Sequence, residues 1–171
     1  MLESTETTPE LNQPKKERVS SNRDYLFGYR EIIKMLPHRF PFLFVDRIIS
    51  IDRATDQIVG QKNVTINEHF FQGHFPPSAP IMPGFLILEA LAQTGGILIY
   101  QKGYENQIPV IMSVNHAKFR HPVKPGDVLM LLCQGTHFSS KGGKIQAKAT
   151  VNGKVAAEAE LVFALMNENQ I

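Results

Sequence analysis

Pro83-Gly84-Phe85-Leu86-Ile87-Leu88-Glu89-Ala90-Leu91-Ala92-Gln93-Thr94-Gly95-Gly96-Ile97-Leu98-Ile99-Tyr100-Gln101-Lys102-Gly103 is the stretch on which the fold turns. Pro83 suits the opening of a helix, because a missing N–H costs nothing there, and Gly103 suits its end, where a left-handed residue closes the last turn. Between them, Phe85 to Leu88, Ala90 to Ala92 and Ile97 to Ile99 point in nearly every direction around a helical axis. A helix that is apolar all round is buried on most sides. The spacing therefore predicts a helix over residues 84–102 with other structure wrapped about it.

That wrapping is legible downstream. Val110 to Phe119, Val128 to Phe138, Lys144 to Val151 and Lys154 to Met166 read as strands, being rich in β-branched and aromatic residues with alternating polarity. Lys124-Pro125-Gly126-Asp127, Ser140 to Gly143 and Asn152-Gly153 separate them as hairpin-like breaks, the last with two residues that tolerate positive φ. Upstream, Phe42 to Ile51 and Gln57 to Ile66 read as a hairpin turning over Asp52 to Asp56. A short helix carrying Ile32, Ile33, Met35 and Leu36 is expected before them, capped by Ser21 or Asp24 and halted by Pro37. The fold class that results is α+β, a long central hydrophobic helix wrapped by an antiparallel β-sheet. Residues 1–22 are polar with almost no large apolar side chains, so they read as a flexible tail ahead of a single domain over residues 23–171.

Composition narrows the function classes. The chain has 171 residues, 43% hydrophobic and 20% charged, with a net charge of only +2, and the scattered basic residues give no global field for nucleic acid. Its apolar stretches are interrupted before the roughly 20 residues a membrane span needs. The first residues lack an apolar signal core, and Glu3, Glu6, Glu10 and Glu17 disfavour a transit peptide, so a cytoplasmic location is expected. Cys133 is a lone cysteine in an apolar run, suited to a small core residue.

The chemistry concentrates where His69-Phe70-Phe71-Gln72-Gly73-His74-Phe75-Pro76-Pro77 leads into the helix. Prolines stiffen such a loop, and a glycine allows close backbone approach, so His74 would be presented in a fixed orientation. Glu89 is the one charged side chain between Gly84 and Tyr100. A carboxyl on a buried helix is either neutral through desolvation or paired and hydrogen-bonded. A histidine and such a carboxyl can run base and acid steps without a metal or cofactor. The plainer alternative is a structural Glu89 bonded to Gln93, one turn along the same face. A metal site of His69 and His74, with Glu68, has poor support, because this proline-bounded loop is not a helix and no further ligand cluster completes it. No phosphate loop, nucleophile elbow or cysteine-histidine motif is present.

Three stretches carry a resemblance: Gly73-His74-Phe75-Pro76 with Pro80-Ile81-Met82-Pro83-Gly84-Phe85-Leu86-Ile87-Leu88-Glu89-Ala90-Leu91-Ala92-Gln93; Leu36-Pro37-His38-Arg39-Phe40-Pro41-Phe42-Leu43-Phe44-Val45-Asp46-Arg47; and Lys118-Phe119-Arg120-His121-Pro122-Val123-Lys124-Pro125-Gly126-Asp127. Together they resemble the 3-hydroxyacyl-(acyl-carrier-protein) dehydratases of bacterial fatty acid synthesis, over about residues 28 to 166. The resemblance implies a hot-dog fold and dehydration of a (3R)-3-hydroxyacyl carrier substrate to the trans-2-enoyl product, with no cofactor and a link to lipid A biosynthesis. It implies that His74 and Glu89 are the catalytic pair, meeting across a homodimer interface, with trimers of dimers usual and acyl carrier protein as the partner.

On that reading His74 takes the C2 proton, Glu89 helps the C3 hydroxyl leave, the Gly84 amide bonds the thioester oxygen and the Ile81 carbonyl orients the imidazole. Phe85, Phe70, Phe71, Ile97 and Ile99 are candidates for an acyl tunnel, with core packing as their plainer role. Lys102, Lys118 and Arg120 are candidates for docking an acidic carrier. Two departures stand out. Pro77-Ser78-Ala79 makes the His74 to Glu89 spacing one residue longer than the family pattern, which should bulge the loop outward, and Phe85 replaces a smaller aliphatic residue. The rivals are a thioesterase on the same fold, a dehydratase-isomerase, which would carry aspartate at position 89, and a non-catalytic acyl-thioester binding protein.

Overall fold

The computed structural model describes residues 24–75 and 78–171; the tail expected over residues 1–22 lies outside the described residues. Helix α1 (Tyr29–Met35) is followed by strands β1 (Arg47–Asp52) and β2 (Gln57–Asn63), a 3₁₀ turn (His69–Gln72) and helix α2 (Gly84–Gln101). Strands β3 (Ile108–Phe119), β4 (Val128–Ser139), β5 (Gly142–Val151) and β6 (Lys154–Met166) complete the domain. They form one six-stranded sheet in the order β1-β2-β4-β5-β6-β3, with every pairing antiparallel.

Helix α2 lies where its sequence demands. Ile87, Leu88, Ala90, Leu91, Gln93 to Ile99 are all buried, and the helix touches β2, β3, β4, β5 and β6. Close approach depends on small residues: a Cβ on Gly95 would fall 2.3 Å from Ile145 Cδ1, and one on Gly60 of β2 would fall 2.8 Å from Thr94 Oγ1. Beneath the helix, Ala147, Ala149, Ala157, Ala159 and Leu161 are buried on alternating positions of β5 and β6, the period of two that a half-buried strand shows. Cys133 is buried there too, with its Sγ donating to Leu91 O at 3.2 Å. Pro83 occupies the N-cap and Gly103 the left-handed position past the end, φ +94°.

The fold class agrees with the sequence reading, while several local expectations are corrected. Helix α1 starts at Tyr29, and its cap comes from the Glu31 carboxylate accepting the Gly28 N–H at 2.9 Å, not from Asp24. The strand expected from Phe42 begins only at Arg47, because the backbone of residues 42–44 is bonded to the Gln93 side chain instead of a neighbouring strand. Lys124 to Asp127 is not a hairpin: β3 pairs with β6, and the chain crosses to β4, which lies between β2 and β5. That loop is held by Val64 instead, whose N–H donates to Asp127 O while its carbonyl accepts from Gly126 N–H. The Asp52 to Asp56 turn and the Asn152-Gly153 turn stand as expected, with Asn152 at φ +49° and Gly153 at φ +78°.

Candidate active site

His74 is placed by its own loop. Its Nδ1 lies 2.8 Å from the Ile81 carbonyl, and the Ile81 N–H donates back to the His74 carbonyl at 3.1 Å. A carbonyl can only accept, so Nδ1 carries a hydrogen, and in the neutral imidazole the lone pair is then on Nε2. Ile81 is the residue whose carbonyl was expected from sequence to face the imidazole. The Phe75 ring stacks on the imidazole at 4.0 Å. Phe75 and Ala79 exchange both backbone hydrogen bonds, at 3.3 and 3.1 Å, and Ser78 and Ala79 are exposed; Pro76 and Pro77, on which the expected bulge falls, lie outside the described residues.

Upstream, the 3₁₀ turn that delivers this loop is anchored by Lys62, whose Nζ is buried against Glu68 Oε1 at 2.6 Å. Glu68 is therefore committed to Lys62, and His69 lies against the Phe40 ring at 5.0 Å. Among the described residues no three His, Cys, Asp or Glu side chains are grouped to hold a metal ion.

Glu89 stands on the second turn of α2. Its Oε1 accepts from Gln93 Nε2 at 2.8 Å and lies 3.4 Å from His38 Nε2. Desolvation pushes this carboxyl up, and the His38 and Gln93 contacts outweigh it, leaving Glu89 below the ordinary glutamate range. Of the two states open to a buried carboxyl, the protomer has the paired one. Gln93 is itself buried and spans the gap to the strand segment, donating to Phe42 O at 2.8 Å and accepting from Phe44 N–H at 2.8 Å. His38 was visible in the sequence only as part of a matching stretch, beside Arg39 among Pro37, Phe40, Pro41 and Phe42.

A cavity of about 450 Å³ opens beside Glu89. Along α2 it follows Glu89, Ala92, Gln93, Gly96 and Tyr100, one face at helical spacing, and Ile108 to Ile111 of β3 form the opposite wall. His74 is not among its lining residues, and no ion pair joins His74 to Glu89 among the described residues. The apolar candidates chosen from sequence lie elsewhere. Ile97, Ile99 and Phe71 are buried in the core and Phe70 packs against it, while Phe85 is 77% exposed against Phe119. Small residues on the Glu89 face, Ala92 and Gly96, line the cavity instead.

At the N-terminus of α2 a Cβ on Gly84 would fall 2.6 Å from the Phe119 ring, so that position accepts no side chain without displacing the ring. The Gly84 N–H is the first amide of the helix, a position whose N–H has no carbonyl partner within the helix. Of the basic candidates, Arg120 bonds Glu158 at 2.5 Å and Lys118 lies beside the same carboxylate. Lys102 sits at the opposite end of α2, roughly 27 Å along the axis, with its charge on Asp56 at 2.6 Å and its ammonium 4.7 Å from the Phe138 ring centroid.

A long buried helix in the curve of one antiparallel sheet, with a histidine loop leading into it and a carboxyl on its second turn, defines a hot-dog-fold protein. Solved structures of that class agree in fold: a dehydratase heterocomplex from Xenorhabdus doucetiae has a TM-score of 0.68 at 17% identity, over 81% of this chain and 92% of that one. A hypothetical thioesterase with coenzyme A from Streptococcus pneumoniae has a TM-score of 0.55 at 13% identity, over 70% and 84%. Residues 36–160 match the model of the FabA-like domain. The chain is 62% identical, over 88% of its length and 97% of the relative's, to a 3-hydroxyacyl-(acyl-carrier-protein) dehydratase FabZ from Protochlamydia amoebophila. It is 51% identical, over 88% and 99%, to one of the same name from Chlamydia trachomatis. The chain belongs to the FabA-like family, among its 3-hydroxyacyl-(acyl-carrier-protein) dehydratases.

Proposed function

We propose that this chain removes water from (3R)-3-hydroxyacyl groups carried on acyl carrier protein, giving trans-2-enoyl carriers in fatty acid elongation, with His74 as base and Glu89 as acid. The observation that carries the reading is the His74 tautomer: the Ile81 carbonyl takes the Nδ1 hydrogen and leaves Nε2 free to accept the C2 proton. As that C–H bond breaks, the C2–C3 double bond forms and the C3–O bond breaks, with Glu89 supplying the proton that lets hydroxide leave as water. The Gly84 N–H at the helix N-terminus is suited to the developing charge on the thioester oxygen, an interaction of about 3 kcal/mol by analogy with acyl transfer.

The two groups meet in a homodimer on this reading. Strand β3 is an edge of the sheet, and Ile111, Met112, Val114, Phe119 and Phe85 are exposed apolar side chains on or beside it. An open apolar edge is a natural place for a second copy. Seating that copy beside Ile108 to Ile111, which line the Glu89 cavity, would bring its His74 toward Glu89. Such closure also desolvates the carboxyl further and so moves it toward the protonated form an acid needs. A trimer of dimers belongs to the same proposal. The acyl chain would pass along Ala92, Gly96 and Tyr100, and Lys118 and Arg120 remain the candidates for carrier docking. A cytoplasmic location and a role in lipid A biosynthesis rest on the resemblance; among the described residues no helix is long and apolar enough to cross a membrane.

The test is incubation with 3-hydroxyacyl carriers of graded length and separation of the products. We expect 2-enoyl carriers, with His74→Ala and Glu89→Gln each losing at least about 10²-fold in kcat. Free acid as the product would indicate the thioesterase, 3-enoyl carriers the isomerase, and no turnover a binding protein. Near-normal dehydration by both folded variants would remove the assignment of the pair.

A further inference from the structure

We propose that His38 is a positioning residue of this site, which acts with Gln93 to anchor Oε1 of Glu89 and thereby makes Oε2 the oxygen that carries the reacting proton. The inference rests on the catalytic reading of Glu89 and adds a residue and an oxygen assignment to it. Both side chains that reach the carboxyl approach the same atom: Gln93 Nε2 at 2.8 Å and His38 Nε2 at 3.4 Å from Oε1. Among the described residues no donor is bonded to Oε2. An oxygen that already accepts the Gln93 N–H and faces His38 Nε2 at 3.4 Å is a poor place for a proton, since an added O–H there would face both groups. The other oxygen carries it without disturbing either bond, so the anchor holds in both protonation states.

The imidazole is built to be a donor at that end. His38 Nδ1 is buried and has no hydrogen-bond partner. With the hydrogen on Nε2, the buried Nδ1 is a bare lone pair; the other tautomer would bury an unanswered N–H and withdraw the donor from Glu89. The ring is held from outside the site. It stacks on Phe42 at 6.4 Å between ring centroids, and Arg39 donates to the carbonyls of Ile33 at 3.0 Å, Leu36 at 2.8 Å and His38 at 2.7 Å, clamping the segment that presents it. Gln93 is fixed by its bonds to residues 42 and 44. The anchor therefore ties the segment after α1 to the reacting group on α2.

The titratable groups around Glu89 can be named in full for the cavity it lines. Among the described residues these are the side chains of His38 and Tyr100, and in the proposed dimer the partner's His74. Of these, His38 has a contact to the carboxyl within 4 Å. Removing His38 takes away a donor that favours the carboxylate, so the Glu89 titration should move up in pH.

The experiment compares wild type with His38→Ala, His38→Phe and His38→Gln in the intact oligomer, using a 3-hydroxyacyl carrier substrate and a carboxyl-¹³C-glutamate label. The Glu89 resonance is assigned by its loss in Glu89→Gln. We expect His38→Ala to lower kcat by about 10- to 100-fold, as displacement of a reacting group does, with KM within about threefold. Its Glu89 titration should move to higher pH. His38→Phe, which fills the same wall without a donor, should behave alike and serves if the alanine variant fails to fold. His38→Gln puts an N–H at the Nε2 position and should restore kcat to within about fivefold of wild type and return the titration.

A folded donor-free variant with kcat within about twofold of wild type, or with an unmoved Glu89 resonance, overturns the proposal. So does a glutamine variant as slow as alanine, because the imidazole itself would then be needed. If Glu89→Gln is fully active, the failure lies instead with the catalytic reading of Glu89; if Glu89→Gln is inactive and His38→Ala is normal, only the anchor is lost.

Discussion

Glu89 and His74 are set up in opposite ways by the groups that hold them. For His74 a single carbonyl acceptor selects the tautomer, whereas for Glu89 two donors offset burial and stabilise negative charge. The second effect has a sign that can be measured. Because the folded carboxyl lies below its ordinary value, its contribution to stability is present above the unfolded pKa of about 4.3 and is lost as pH falls through the lower folded value. Melting curves of wild type and Glu89→Gln from pH 7 downward should therefore show the wild type losing stability relative to the variant as pH drops below that range. Parallel curves throughout would mean that the contacts to Oε1 do not favour the carboxylate.

The Gln93 amide links helix α2 to the segment after α1. Gln93 answers both the Phe44 N–H and the Phe42 carbonyl, which is why residues 42–44 need no strand partner despite a sequence rich in Phe and Val. Replacing it with leucine keeps the bulk and strands two backbone groups, at about 1–3 kcal/mol for each group left buried and unsatisfied. Urea unfolding of Gln93→Leu should show a loss of that order, together with a fall in kcat, because the same amide holds Glu89. Unchanged stability would mean that water replaces it. The lengths of α2, β4 and β6 could be read from periodicity, since helices and half-buried strands repeat their polarity within a few residues. The Phe42 segment could not, because its partner lies 51 residues away in sequence and leaves no local pattern.

At the scale of the molecule, His74 and Glu89 of one chain are not brought together, and the proposed dimer would supply the missing half. Mixing chains tests this directly. His74→Ala and Glu89→Gln are each expected to be inactive alone. After unfolding together and refolding, the mixed dimer would contain one site built from the two wild-type halves and one site broken twice. With random pairing in a two-fold dimer, activity should return to about one quarter of wild type. No recovery, with mixed dimers demonstrated by mass spectrometry, would place both catalytic groups within one chain.

Local sequence alone determined the all-round apolar helix with its Pro83 start and Gly103 end, the long strands, the Asn152-Gly153 turn and the singular carboxyl at Glu89. Each depends on backbone preference or on polarity repeating over a few residues, and the matching stretches around His74 and Glu89 pointed to the family. Tertiary structure decided that β3 lies beside β6 and not β4, that His38 and Gln93 converge on one oxygen of Glu89, and that the cavity follows Ala92, Gly96 and Tyr100. These depend on which distant surfaces come together, and burial makes such choices through packing and hydrogen-bond satisfaction across the chain. Neither cause leaves a periodic mark in the residues that take part.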